Sequence, residues 1–98
     1  GELGIWRSET RHKVVIDFDA QGADYLRTRK VHGSQKLQSI AGGGVRLSMT
    51  LGNLNPVVSW ALEWGPRAKV VEPPELVERV RAELDQALAQ YKKKRSKK

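Results

Sequence analysis

Hydrophobic and polar residues alternate along two stretches of the chain, and this two-residue period predicts half-buried β-strands over residues 12–18 and 45–51. The positions predicted to face the core are Val14, Ile16, Phe18, Val45, Leu47, Met49 and Leu51. The opposite, open face carries Lys13, Val15, Asp17, Arg46, Ser48 and Thr50. Two weaker strands are predicted over residues 35–40 and 67–72. Three consecutive glycines at 42–44 predict a turn that makes the second and third strands a hairpin, because glycine adopts positive φ freely.

Helices are predicted between these strands. Asp19 is expected to cap the first helix, on which Ala23, Leu26 and Lys30 share a face. Asn55 is expected to cap the second, with Pro56 at its first helical position. Gly65 is the expected left-handed residue at the end of that helix.

A third helix is predicted to begin at the Pro73-Pro74 pair. Its apolar residues recur every three or four positions, which is typical of an amphipathic helix. This stripe comprises Leu76, Val80, Leu84, Ala87 or Leu88, and Tyr91.

The order of elements is β-α-β-β-α-β followed by one more helix. This order predicts one α+β domain, a ferredoxin-like βαββαβ sandwich with an additional C-terminal helix. Two helices would cover one face of a four-stranded antiparallel sheet. The last helix would pack elsewhere or against a partner.

The net charge of +7 is concentrated at the C-terminus. Residues 92–98 hold six of the 18 basic residues, which leaves 12 basic against 11 acidic residues in 1–91, a net charge of +1. Such a tail is expected to be disordered and solvated. It either solubilises the chain or contacts nucleic acid non-specifically.

The sequence also predicts the cellular compartment and the extent of the folded domain. The chain has no cysteine, no apolar run long enough for a membrane span, and no signal peptide at its N-terminus. We therefore expect a cytoplasmic protein with no membrane partner. Residues 1–11 lack a clear period and are predicted to be a linker from an upstream domain, with the folded domain over 12–91.

Catalytic chemistry is not predicted. The two histidines, His12 and His32, lie on different elements without metal-ligand spacing, and no nucleophile, phosphate-loop or zinc-protease motif is present. We expect neither an enzyme, nor a bound metal, nor a cofactor. The open face of the sheet also lacks the aromatic residues on which RNA-recognition domains stack bases.

One long segment, from Tyr25 to Leu62, contains no acidic residue. Its cations near the end of the first helix predict an anion or phosphate site, with two neutral side chains donating hydrogen bonds. The site residues are Arg27, Arg29, Lys30, His32 and Lys36, with Ser34 and Gln35 as donors. The alternative is that the cations only complement the helix C-terminus.

Trp60 and Trp64 lie one helical turn apart on an apolar stripe. Core packing is the first interpretation, and an interface role is the alternative because Trp is enriched in binding hot spots. Leu84 and Leu88 on the last helix are further candidates for an interface, across which a homodimer would form.

Several segments together resemble a known family. They are 14–19 (VVIDFD), 25–29 (YLRTR), 32–37 (HGSQKL), 60–65 (WALEWG) and 68–76 (AKVVEPPEL). In this order they resemble the WYL C-terminal extension domain, WCX, of bacterial transcriptional regulators. The resemblance covers residues 12–91. The lysine-rich end is not part of the pattern.

The resemblance implies a modular DNA-binding regulator with a winged helix-turn-helix, a WYL domain and then this domain. It implies a ferredoxin-like fold that contributes to dimerisation and to the effector response, with single-stranded DNA as one effector. DNA binding would belong to the helix-turn-helix, which this sequence lacks. Two alternatives stay open: a small-molecule-binding regulatory domain, favoured by an apolar pocket between helices, and a plain protein-interaction module.

Overall fold

Within the described residues, four strands and three α-helices follow the predicted order. The computed structural model describes residues 11–92. The strands are β1 (His12–Phe18), β2 (Lys36–Ser39), β3 (Val45–Leu51) and β4 (Ala68–Glu72). The helices are α1 (Ala20–Arg27), α2 (Asn55–Glu63) and α3 (Pro74–Lys92). The protein is therefore of mixed α+β class, with a C-terminal helix, as predicted.

The strands form one sheet in the order β2-β3-β1-β4, and every neighbouring pair is antiparallel. Ile16 lies opposite Leu47 and Phe18 lies opposite Val45, so the predicted core-facing residues of β1 and β3 share one face. A β-bulge between Val15 and Ile16 interrupts the pairing of β1 with β4.

All three helices contribute to a core on that face of the sheet. Ile16, Leu47 and Leu76 are fully buried in this core, and α1 and α2 add Leu26 and Val57. The predicted inward positions of β1 and β3 are confirmed, except that the terminal Leu51 is only half-buried. The alternation fails at Val15, which was predicted on the open face but is buried.

The first helix is shorter than the sequence pattern suggested. The Asp19 side chain accepts a hydrogen bond from the backbone N–H of Gly22 at 3.0 Å, which confirms the predicted cap. However, α1 ends at Arg27, so the prediction that Lys30 lies on its face was wrong. Thr28 ends the helix, because its backbone N–H and its hydroxyl both donate to the Tyr25 carbonyl.

The predicted cap of α2 was also wrong. Asn55 is the first helical residue, and Leu54 occupies the cap position without a side-chain hydrogen bond. The Asn53 side chain instead accepts from the Asn55 backbone N–H at 3.0 Å. This frees the Asn55 side chain to accept from Arg79 of α3 at 2.8 Å. The predicted left-handed Gly65 is confirmed, with φ of 58°.

The glycine turn between β2 and β3 is confirmed. Gly42 and Gly43 have φ of 77° and 82°, in the region that disfavours side chains. Gly44 has an ordinary φ of −83°, but a Cβ there would lie 2.3 Å from the Phe18 carbonyl oxygen. Close approach of β1 therefore requires the third glycine.

The predicted linker and tail fall almost entirely outside the described residues. Of the linker only Arg11 is described, and of the tail only Lys92, which is the last residue of α3. Over residues 11–92, none of the helices combines the length and the apolar character needed to cross a bilayer.

Candidate functional site

The segment that joins α1 to β2 is held by its own side chains. The Gln35 side-chain oxygen accepts from the backbone N–H groups of Val31 and His32, at 2.5 and 3.1 Å. The amide nitrogen of Gln35 donates to the Arg29 carbonyl at 3.4 Å. One glutamine side chain thus links the end of α1 to the start of β2 and orders the loop between them.

Ser34 lies just before β2 and extends its hydrogen-bonded ladder with β3. Its hydroxyl accepts from the Thr50 backbone N–H at 2.9 Å, two residues beyond the last pair, Lys36 opposite Ser48. The hydroxyl proton has two acceptors within reach, the Thr50 carbonyl at 3.3 Å and Nδ1 of His32 at 2.8 Å. The Ser34 backbone N–H donates to the same Nδ1 at 3.1 Å. Ser34 therefore fastens the loop to β3.

This geometry changes the interpretation of Ser34 and Gln35, which were predicted to donate to an anion. Both side chains hold the loop in place through the bonds given above. Any contact they make with a bound anion stays a prediction. The His-Gly-Ser-Gln pattern was therefore informative about position but not about hydrogen-bond partners, which depend on how the loop folds back on β3.

The predicted cations separate into two groups. Arg27 lies 3.9 Å from Asp24 one turn earlier on α1, and the guanidinium of Arg29 stacks 4.3 Å above the ring of Tyr25. Lys30 is exposed just after the helix. These three side chains thus lie at the end of α1, where two of them already have local partners.

Lys36 belongs to the second group, which lies on the open face of the sheet. There a polar groove of about 310 Å³ is formed by two lysines, three hydroxyl residues and one methionine of β3. The lining residues are Lys13, Ser34, Lys36, Ser48, Met49 and Thr50. The structure therefore brings Ser34 and Lys36 together. It adds Lys13, Ser48 and Thr50, which were predicted to lie on the open face but not in the site.

Charge on the rest of this face is partly neutralised. Arg46 on β3 makes two hydrogen bonds to the carboxylate of Asp17 on β1, at 2.7 and 2.9 Å. The hydrogen bond from Arg46 lowers the pKa of Asp17, and burial opposes this less strongly; the same bond raises the pKa of Arg46. Because Arg46 is paired, the lysines of the groove remain for an anionic ligand there. Lys69, which lies opposite Asp17 on β4, is a further cation of this face outside the groove.

The chemistry of the groove fits phosphate binding. Ammonium groups are compact donors for phosphate, and serine and threonine hydroxyls donate hydrogen bonds to phosphate oxygens. Within residues 11–92, no group of three or more His, Cys, Asp or Glu side chains is placed to hold a metal ion.

Trp60 on α2 and Trp64, the cap at the C-terminal end of this helix, pack against the core. Phe18 lies 5.7 Å from Trp60 and 5.1 Å from Trp64, measured between ring centroids. Trp64 also meets Tyr25 edge to face at 5.1 Å. Both indoles stay partly exposed. This arrangement accounts for them as packing residues, and their role in an interface stays a prediction.

The apolar stripe of α3 leaves the domain halfway along the helix. Leu76 is fully buried, and Val80 is half-buried against the core. Leu84 and Leu88 are 47% and 56% exposed, and Tyr91 is 85% exposed. The predicted interface leucines are therefore open to a partner, although the structure holds a single chain.

Comparison with known proteins identifies the family. The family model of the WCX domain matches residues 10–88, well over half of the chain. No curated protein matches the sequence. The matched range contains the sheet, the loop after α1, the groove and the buried part of α3. The chain therefore belongs to the WCX family, a regulatory domain of WYL-type regulators.

Proposed function

We propose that this domain is the regulatory and dimerisation domain of a cytoplasmic, WYL-type DNA-binding transcriptional regulator. In this proposal it contacts a single-stranded DNA effector through the groove on the open face of the sheet. It acts by binding, not by catalysis, and operator DNA is contacted by a helix-turn-helix domain of the same regulator. The observation that carries the proposal is the groove of Lys13, Ser34 and Lys36 on a face where Arg46 is already neutralised.

The proposed fold within the α+β class is ferredoxin-like. Two observations support it: the order β2-β3-β1-β4 and the antiparallel pairing of all neighbours. In this order β3 lies between β2 and β1, the strands of the first βαβ half, and β1 lies between β3 and β4, the strands of the second half. This interleaving places both helices on one face and leaves the other face free for a ligand.

The binding mode follows from the chemistry of the groove. Lys13 and Lys36 contact backbone phosphates, while the hydroxyls of Ser48 and Thr50 donate hydrogen bonds. Within the part of the chain that the structure describes, the open face offers no aromatic ring for base stacking. Binding is therefore expected to depend on phosphate charge and to show little base preference.

The proposal is tested by fluorescence anisotropy with a fluorescein-labelled oligothymidine, titrated at several salt concentrations. The 98-residue chain is compared with a chain that ends at Lys92, and with the variants Lys13→Ala and Lys36→Ala. Each lysine variant should weaken binding and reduce the slope of log affinity against log salt by about 0.7, as expected when one contact to a single strand is lost.

Lys69→Ala is the matched control, because Lys69 is exposed on β4 beside Asp17 and does not line the groove. The proposed effector site is wrong if Lys69→Ala weakens binding as much as Lys36→Ala. It is equally wrong if binding disappears when residues 93–98 are removed, since the tail alone would then hold the strand.

Dimerisation is proposed to use the exposed half of the α3 stripe. Leu84 and Leu88 lie one helical turn apart and are half exposed, and paired helices bury such stripes against each other. Light scattering should give a dimer for the full chain and a monomer for Leu88→Glu. Gln86→Glu adds the same charge on the opposite side of α3 and should leave the dimer intact. A monomeric full chain, or a dimer that survives Leu88→Glu, would contradict this assignment.

A further inference from the structure

A second pocket lies on the core-facing side of β3, and we propose that it binds a small aromatic carboxylate. The pocket has a volume of about 460 Å³, within the range of roughly 300–1,000 Å³ common for small-molecule sites. It opens between β3, the start of α2 and the loop after α1. This inference goes beyond the nucleic-acid function proposed above, because a different pocket carries it.

The walls of the pocket are apolar. Met49 and Leu51 come from β3, Val57 and Trp60 from α2, and Val31 from the loop. The indole of Trp60 packs against the ring of Phe18 in a tilted arrangement and against Trp64 edge to face, with centroids at 5.7 and 6.0 Å. An aromatic wall of this kind favours a flat aromatic ligand, since aromatic rings pack well in offset or edge-to-face arrangements.

Two hydrogen-bond donors lie among the lining residues. Nδ1 of His32 accepts from the Ser34 backbone N–H, so the neutral imidazole carries its proton on Nε2. Within residues 11–92, Nε2 makes no hydrogen bond. Asn53 uses its side-chain oxygen on the Asn55 N–H, which leaves its amide N–H₂ as the second donor. A ligand needs acceptor atoms to match this pair.

The residues of 11–92 that line the pocket include no acidic side chain, so an anion meets no charge repulsion from these walls. Every lining residue lies between positions 31 and 60, inside the segment Tyr25–Leu62 that contains no acidic residue. The exposed Lys30 immediately precedes the wall residue Val31 in the sequence. A carboxylate supplies both the acceptors and the negative charge, while its aromatic ring occupies the apolar part of the pocket.

The test is a titration of the isotope-labelled 98-residue chain with 2-naphthoate, followed by NMR. The expected result is saturable shifts of backbone amides in residues 31–32 and 49–60 and of the Trp60 indole N–H. The neutral analogue 2-naphthylmethanol should bind about tenfold more weakly, as expected when a hydrogen bond to a charged group is lost. Shifts confined to the lysines of the open-face groove would overturn the proposal, and so would equal affinity for both probes.

Two variants and one control locate the site. His32→Ala should weaken 2-naphthoate about tenfold, and Leu51→Trp should abolish binding by filling the pocket. His12→Ala is the control, because it also removes a histidine side chain. His12 lies 3.7 Å from Glu75 and does not line the pocket, so the affinity for 2-naphthoate should be unchanged. If His32→Ala binds 2-naphthoate like the unaltered chain, the proposal fails, even if Leu51→Trp does not fold.

Discussion

Three leucines of α3 provide a direct measure of how far the domain extends along this helix. Leu76, Leu84 and Leu88 belong to one stripe, but the first is fully buried and the others are about half exposed. Replacing each with alanine removes the same atoms and leaves a good helix former. Differences in the free energy of unfolding among the three variants therefore report tertiary contacts and not helix propensity.

The expected magnitudes follow from burial. Leu76→Ala removes apolar contacts and leaves a cavity in the core, which should cost about 2–5 kcal/mol. That is a large part of the roughly 5–15 kcal/mol typical of a folded domain. In a monomer, Leu88→Ala should stay within about 0.5 kcal/mol of the unaltered chain, as expected for a surface position.

Urea unfolding at low and high protein concentration is the assay. If the exposed stripe forms a dimer, Leu84→Ala and Leu88→Ala become destabilising, and the midpoint of unfolding rises with protein concentration. Equal costs for Leu76→Ala and Leu88→Ala, independent of concentration, would refute the reasoning. The second half of α3 would then have to contact its own domain.

Three further predictions follow from β1, β3 and the loop. Gly44→Ala should destabilise the domain by about 1–3 kcal/mol in urea unfolding, as overpacking does, because its Cβ would meet the Phe18 carbonyl oxygen; an unchanged midpoint would contradict this close approach. Asp17 has a lowered pKa in the folded state, so its contribution to stability is present above its unfolded pKa of about 3.9 and is lost as pH falls through the lower folded value. Urea midpoints measured across that range should therefore fall less steeply for Asp17→Asn, and parallel curves would show that the pair with Arg46 does not stabilise the fold. Ser34→Ala should speed amide hydrogen exchange in residues 31–36, whereas unchanged exchange would mean that Gln35 alone orders the loop.

Much of the fold could be predicted from local sequence. The inward-facing positions of β1 and β3, the Asp19 cap and the Gly65 stop each depend on a few neighbouring residues, and all are observed. The start of α2 could not be predicted as well. Asn53 and Asn55 are both good capping residues, yet Leu54 occupies the cap position. The Asn55 side chain instead accepts a hydrogen bond from Arg79, which is distant in sequence.

The candidate site was predictable in position but not in composition. Lys36 and Ser34 follow from the basic, acid-free segment, whereas Lys13 joins them only because β1 pairs with β3 in the observed register. Likewise, the neutralisation of Arg46 depends on its position opposite Asp17 across the two strands. Contacts between strands that are far apart in sequence are the information that a linear pattern lacks.

The two outer strands of the sheet have a consequence for aggregation. An exposed strand edge can template the addition of strands from other molecules, and natural proteins limit this with short edges, bulges and charged residues. Here β2 has only four residues and begins with Lys36. At the other edge, β4 carries Lys69 and Glu72 and pairs with β1 through a bulge. Both edges are therefore poor templates for fibril growth through added strands.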